Sequence, residues 1–187
     1  KQTTVLIQGI TGKEGQKAAR AMLEYGTNVV AGVRPGKGGE MVEGVIVFNS
    51  VKDALASGIT LTNVVSAIYV PPFAAKVAIL EAIYSDIPQI NVIVERIPIQ
   101  DTAYCLAAAK EKDIRIIGPS SLGYIAPGIG RIGVVGGPLE QTNEIYRPGP
   151  IGVISRSGGM TNEISWQLVK AGIGQSMVVH VGGDLLM

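Results

Sequence analysis

Short apolar, β-branched runs alternate with longer stretches of helical spacing through most of this chain. Residues 4–7 read as a buried strand. Residues 14–25 place Ala18, Ala21, Met22 and Tyr25 on one helical face, and Gly26 suits the C-cap. Further strands are predicted over 28–33, 64–70, 90–94 and 115–117, with a shorter one beginning at Val47. Helices are predicted over 51–57, 73–85 and 101–112. Such alternation builds β-α-β units and a parallel sheet, so the fold class is α/β and Rossmann-like. Between Ser120 and Pro150 the pattern breaks. That stretch is rich in glycine and proline, with one short apolar run at 132–135, and is expected to be a connection carrying a hairpin or irregular loops. Strand, helix and strand then resume over 151–154, 159–170 and 177–181. A second α/β domain, expected to be flavodoxin-like, begins near Pro150, and it looks incomplete, because one β-α-β unit cannot cover both faces of a sheet.

In such sheets ligands sit beyond the carboxyl ends of the strands, so the residues just after each strand carry the chemistry. The first strand runs into Gly9, Thr11, Gly12, Lys13, Glu14 and Gly15, which open the first helix. Gly9 permits a sharp turn, Gly12 lets the backbone approach a phosphate, and Gly15 lets helix pack on strand. The second strand ends in Arg34 and Lys37, with no acid to bond an unmodified ribose. Two cations there suit a phosphorylated adenosine ribose, as in NADP or coenzyme A; a solvated loop is the plainer reading. Tyr69, Pro71 and Pro72 form either an apolar wall for a ligand or a proline-started helix. Glu95 either meets a ligand or caps the next helix. The run Ser155, Arg156, Ser157, Gly158, Gly159 again joins a strand to a helix; it makes an anion site or a serine N-cap.

Composition narrows the function classes. A net charge of +1 without clustered Lys and Arg argues against a nucleic-acid partner. No apolar run reaches the ~20 residues of a membrane helix. No signal-peptide pattern opens the chain, so the expected compartment is the cytoplasm, or the mitochondrial matrix if a leader has been removed. The lone Cys105 leaves no disulfide framework or cysteine zinc site and reads as a buried thiol. His180, the only histidine, lies in an apolar run and reads as structural; no catalytic triad or metal cluster can be assembled.

Taken in order, the segments 8–15, 25–27, 32–39, 47–49, 68–71, 95–98, 117–119, 154–158 and 182–184 resemble the α subunit of the succinyl-CoA synthetase family. The resemblance spans nearly the whole chain. It implies a CoA-binding domain over 1–125, a connecting segment over 126–149 and the start of a ligase domain over 150–187. It also implies that Thr11, Gly12, Lys13 and Glu14 line the CoA phosphates, that Lys37 reaches one of them, and that Ile93, Val94 and Glu95 touch the cofactor. The helix opened by Ser155–Gly159 would face a phosphohistidine loop lying downstream of Asp184, so no catalytic residue is expected in this chain. ATP and Mg would sit on an ATP-grasp β-type partner subunit or fused domain, giving a hetero-oligomer that joins a small carboxylic acid to CoA.

Three departures shift the expected acid. Ser120, Ser121 and Leu122 replace the family's usual residues after Gly118-Pro119; Asn162 stands where the family has tyrosine; and a longer loop carries Gly136, Gly137 and the run Tyr146–Gly149. These look more like ATP-citrate lyase and citryl-CoA synthetase. Backbone N–H groups at Gly136 and Gly137 would hold citrate's extra carboxylate as an anion nest. The expectation is therefore citrate, with succinate next; an NADP-dependent oxidoreductase and a non-catalytic CoA-binding module are the alternatives.

Overall fold

The computed structural model describes residues 3–60 and 62–186. The first sheet contains β1 (Thr4–Gln8), β2 (Asn28–Val33), β3 (Met41–Val42), β4 (Val45–Phe48), β5 (Val65–Ile68), β6 (Gln89–Val92) and β7 (Arg115–Ile117). Their spatial order is β3-β4-β2-β1-β5-β6-β7. All pairs are parallel except the short β3–β4 pair. The connecting helices are α1 (Lys13–Glu24), α2 (Val51–Ala56), α3 (Pro72–Tyr84) and α4 (Ile99–Glu111). The order reverses at β1 and β5, which lie side by side in the centre. A crevice therefore opens beyond their carboxyl ends.

The central strands β1 and β5 are buried on both faces, and their polar Gln8 and Ser66 satisfy each other by a hydrogen bond at 3.1 Å. Leu6, Val33, Ile68 and Val92 pack toward α3 and α4 in one core. Val5, Ile7, Ala67 and Val29 face α1 in the other, with Ala18, Ala19 and Met22. The two-residue alternation along each strand thus sorts side chains between two helical layers.

A second sheet holds β8 (Gly123–Ala126), β9 (Gly130–Gly133), β10 (Pro148–Ser155) and β11 (Gln175–His180), in the order β10-β11-β8-β9. Helix α5 (Leu139–Ile145) follows β9, and α6 (Gly158–Lys170) joins β10 to its parallel neighbour β11. The stretch 126–149, expected as a connection, is thus built into this sheet through β9 and α5. The glycines that broke the sequence pattern are the physical reason. A Cβ on Gly123 would lie 1.9 Å from the Ile132 carbonyl oxygen, and one on Gly133 would lie 2.3 Å from that of Leu122. Glycine lets these backbones touch, and the same glycines hide the strands from a reading based on side chains. The hairpin widens the β-α-β unit, because β8 pairs antiparallel to β11 and Ile125 fills a core with Val153, Val178 and Tyr146, while Ile154 of β10 stays 77% exposed.

Candidate functional site

The glycine turn sits at the switch point. Gly9 has φ 84° and donates its N–H to the Val33 carbonyl at 2.9 Å, so the end of β1 is tied to the end of β2. A Cβ at Gly9 would fall 2.7 Å from the Tyr69 carbonyl, and one at Gly15 would fall 2.3 Å from the Gly9 carbonyl. The turn, the β5 exit and the first turn of α1 are therefore in backbone contact. Helix α1 opens on Gly12, which has no side chain to cap it. The first-turn N–H groups are left free to meet an anion beside half-buried Thr11 and exposed Lys13 and Glu14.

A cleft of about 450 Å³ lies on the α3 side of this turn, lined by Gly9, Arg34, Pro35, Pro71, Phe73 and Val77 among others. Phe73 and Val77 are 87% and 70% exposed, an apolar helix face beside the cleft that sequence reading missed. Its signal was present, because α3 is apolar nearly all round and only one side of it can be buried. Pro71 serves both expected readings: it is the N-cap of α3, with Pro72 at the first helical position, and it lines the cleft. A larger hollow of about 810 Å³ lies by Asn63, Pro88, Gln89 and Arg115, at the opposite ends of the strands, away from every glycine turn.

Lys37 does not line the cleft. Its Nζ pairs with Glu40 Oε1 at 2.8 Å, and both side chains are about half exposed. Exposed pairs of this kind are worth about 0–1 kcal/mol, so a phosphate can displace Glu40 at little cost. Tyr69 departs further from expectation. Its ring packs in the α1-side core near Ile93 rather than in the cleft, because alternation along the strand sends it to the face opposite Ile68. Its hydroxyl is buried without a partner among the described residues, and burial pushes its pKa up. Ile93 shares that face, Val94 is buried on the other, and only Glu95 is exposed. Glu95 does not cap α4, whose N-cap is Pro98; its carboxylate accepts from Ser120 Oγ at 3.4 Å.

Ser120 leads into the second unit. Its carbonyl accepts from the Gly183 N–H at 3.3 Å, so the ends of β6 and β7 meet the segment following β11. The second anion motif lies alongside. Ser157 caps α6 by accepting the Met160 N–H at 3.3 Å, and Ser155 Oγ accepts the Ser157 N–H at 3.1 Å. The guanidinium of Arg156 bends back to the carbonyls of Gly182 and Asp184 instead of standing at the helix opening. Gly158 and Gly159 supply the backbone there.

Gly136 and Gly137 do not form the expected nest. Gly136 is buried, and a Cβ on it would strike Thr142 and Tyr146 at 2.8 Å. The Gly137 N–H is already bonded to the Val134 carbonyl, and its own carbonyl accepts from Arg131. The pair is a tight turn in which the Gly137 donor is already used. Asn162 accepts from Tyr146 Oη at 2.6 Å, in a phenol whose pKa burial pushes up to about 12.

Arg131 was missed altogether. It is 1% exposed and bonds no carboxylate among the described residues. Its guanidinium donates to the carbonyls of Ala21, Val135 and Gly137 and to Thr142 Oγ1, and it stacks on Tyr25. A lone arginine inside a glycine-bounded apolar run was the available sequence signal. Cys105 is 2% exposed, and burial pushes its thiol up to about 11, which makes it a poor nucleophile. Among the described residues no group of three His, Cys, Asp or Glu side chains could hold a metal ion, and no helix is long and apolar enough to cross a membrane.

A family model described as CoA binding domain matches residues 1–96, just over half of the 187. The chain belongs to the CoA-binding domain family. Relatives of this CoA-binding chain include the succinate–CoA ligase [ADP-forming] α subunit of Aquifex aeolicus. That protein is 46% identical over 98% of the chain and 58% of its own length. An α subunit of the same name from Archaeoglobus fulgidus is 43% identical over 100% of the chain and 62% of its own length. The chain thus spans about three fifths of the curated relatives it matches. Among solved structures, ATP citrate lyase from Methanothrix soehngenii, in complex with citrate and coenzyme A, superposes with a TM-score of 0.84. It is 24% identical, over 98% of this chain and 32% of its own, a likeness of fold alone. A dinucleotide-forming acetyl-coenzyme A synthetase from Ca. Korarchaeum cryptofilum gives 0.75 at 22% identity, over 98% of this chain and 39% of its own.

Proposed function

We propose that this chain is the CoA-binding part of the α-type subunit of an NDP-forming acid–CoA ligase. One observation carries the reading: the uncapped N-terminus of α1, reached through Gly9 and Gly15, opens at the switch point beside a loop bearing Arg34 and Lys37. A Cβ in the turn would meet backbone, so the cradle is shaped for phosphate rather than filled by side chains. The apolar cleft edged by Phe73, Val77 and Pro35 suits the organic body of CoA. When bound, CoA brings a thiol that can accept an acyl group. What the chain contributes is anchorage and aim. The α1 opening and the basic loop hold the phosphates, and Glu95 and Ser120 stand where the first unit meets the second. The Ser155–Gly159 opening of α6 receives an anion of the reacting acid or a phosphohistidine loop. Phosphoryl supply from ATP belongs to an ATP-grasp partner, and the histidine that would carry the phosphoryl group is expected outside these residues.

For the acid, the buried Gly136 and committed Gly137 remove the feature that favoured a third carboxylate. The identity to succinate–CoA ligase α subunits supports succinate. Citrate stays as the second reading on one observation: Asn162 is held by Tyr146 in the first turns of α6, beside the glycine opening.

Calorimetry with CoA and 3′-dephospho-CoA tests the binding reading. We expect CoA to bind, dephospho-CoA to bind about tenfold more weakly, and Arg34→Ala with Lys37→Ala to erase the difference, the ~1.4 kcal/mol of an exposed phosphate contact. Failure of the chain to bind either compound would end it, and tighter binding of NADPH than of CoA would transfer the site to oxidoreductase chemistry.

A further inference from the structure

His180 ends β11 and is 4% exposed. Both of its ring nitrogens are engaged. Nδ1 accepts the Leu122 N–H at 2.8 Å, and Nε2 lies 3.0 Å from the Arg156 carbonyl oxygen. An N–H donor faces Nδ1 and a carbonyl faces Nε2. The ring is therefore neutral, with its single proton on Nε2. The two partners sit on different elements. Leu122 belongs to the strand entry that follows the first sheet; Arg156 belongs to the loop that opens α6. The backbone of His180 extends the link, because its carbonyl accepts from Ser121 Oγ. That hydroxyl also contacts buried Asn91 of β6. A chain of buried polar groups thus runs from the first sheet through His180 to the Ser155–Gly158 loop.

We propose that His180 is a positioning residue that ties the Ser155–Gly158 loop to Leu122, at the exit from the first unit, only while its imidazole is neutral, and that protonation releases the loop, still bonded to the ring, from Leu122. A proton taken from solvent by Nδ1 would point N–H at N–H across the Leu122 contact and break it, while Nε2–H keeps its bond to the Arg156 carbonyl. The charged groups on the elements packed against the ring would not compensate. Arg156, on the β10–α6 loop, repels an imidazolium and already donates to the carbonyls of Gly182 and Asp184. Asp184, after β11, accepts the Leu185 N–H with one carboxylate oxygen, and among the described residues it makes no ion pair with the ring. Glu95, beyond Ser120, is exposed on the first unit. The edges of β8 and β10 beside the ring present Gly123 and Ser155, neither of them charged. Burial also lowers the pKa of His180, so the fold already disfavours the charged ring.

The proposal relies on the ligase reading only for the purpose of the loop, and its test needs no CoA. The chain holds one histidine, so its ring signals in a 15N-histidine sample are unambiguous. Nitrogen–proton correlation spectra at pH 7.5 should show protonated Nε2 and bare Nδ1. On acidification the ring and the backbone amides of Ser157, Gly158 and Gly159 should move with one common midpoint, below the roughly 6.5 of a free imidazole. His180→Gln offers an amide donor toward Arg156 but does not titrate, so its loop amides should hold the neutral positions throughout. His180→Ala should show the released positions at every pH. A proton on Nδ1, loop amides indifferent to the ring, or an unchanged loop titration in the glutamine variant would each overturn the proposal. Should a variant fail to fold, the wild-type tautomer and the shared midpoint decide alone. Because calorimetry with CoA reads the first unit and these spectra read the second, either reading can fail without the other.

Discussion

At the scale of single residues, the site depends on atoms that are missing as much as on those present. Gly15 is buried on the first turn of α1, and a methyl there would meet the Gly9 carbonyl at 2.3 Å, against backbone that cannot rotate away. Gly15→Ala should therefore move the turn off the strand end. We expect a loss of about 1–3 kcal/mol in urea denaturation, the usual cost of overpacking, together with CoA affinity at least tenfold weaker. A variant as stable as wild type would show that strand and helix have room to part. Tyr69 shows the limit of residue-level reading. A tyrosine after a strand beside two prolines looks like a ligand wall, but strand alternation sends the ring into the opposite core.

Among the elements, the two helix openings that looked alike in sequence are built differently. Helix α1 begins on Gly12 with no side-chain cap, while α6 begins on Ser157, whose hydroxyl accepts the Met160 N–H. The first is open to a ligand; the second is already partly satisfied by its own serine. Ser157→Ala should cost about 1 kcal/mol, the worth of a serine N-cap. Hydrogen exchange would locate that loss in α6 and its loop and leave α1 and β1 unchanged. Spread of the loss through the first sheet would mean that the two units unfold as one. The β8–β9 hairpin belongs to the same scale. Its strands are four residues each, and two positive-φ glycines put backbone against backbone, so no alternation of apolar and polar residues announces it.

For the whole molecule, two buried groups join what the chain order separates. Arg131 reaches from β9 to the last turn of α1 and to the Gly136–Gly137 turn. Arg131→Met fills similar space but leaves the Val135 carbonyl without its donor and takes from the Gly137 carbonyl and the Thr142 hydroxyl the charged donor they share. Each orphaned buried group costs roughly 1–3 kcal/mol. A loss of ~3 kcal/mol or more in denaturant titration is expected, and a methionine variant of unchanged stability would reduce the staple to packing. His180 gives the molecule an acid-sensitive joint. Its pKa is depressed in the fold, so between the folded value and about 6.5 the unfolded chain binds more protons. Its stabilisation is full above about pH 6.5, declines as pH falls below that, and levels off below the folded value. Carboxylate titrations are common to wild type and His180→Gln, so the gap between their denaturant midpoints should narrow from pH 7.5 to pH 5.5. A gap independent of pH would exclude the joint.

The sequence by itself determined the parallel sheet and the position of the glycine turn, because strand–helix alternation and glycine spacing are local properties of consecutive residues. It also marked Arg34 and Lys37 as a basic loop. The tertiary structure alone decided which face Tyr69 takes, that Gly136 is buried, that 126–149 carries strand and helix of the second sheet, and that Arg131 and His180 bridge the units. The bridges depend on contacts between residues from about 25 to 110 positions apart, such as Arg156 with His180 and Ala21 with Arg131. Packing and the need to pair every buried polar group select such contacts, and no window along the chain contains both partners.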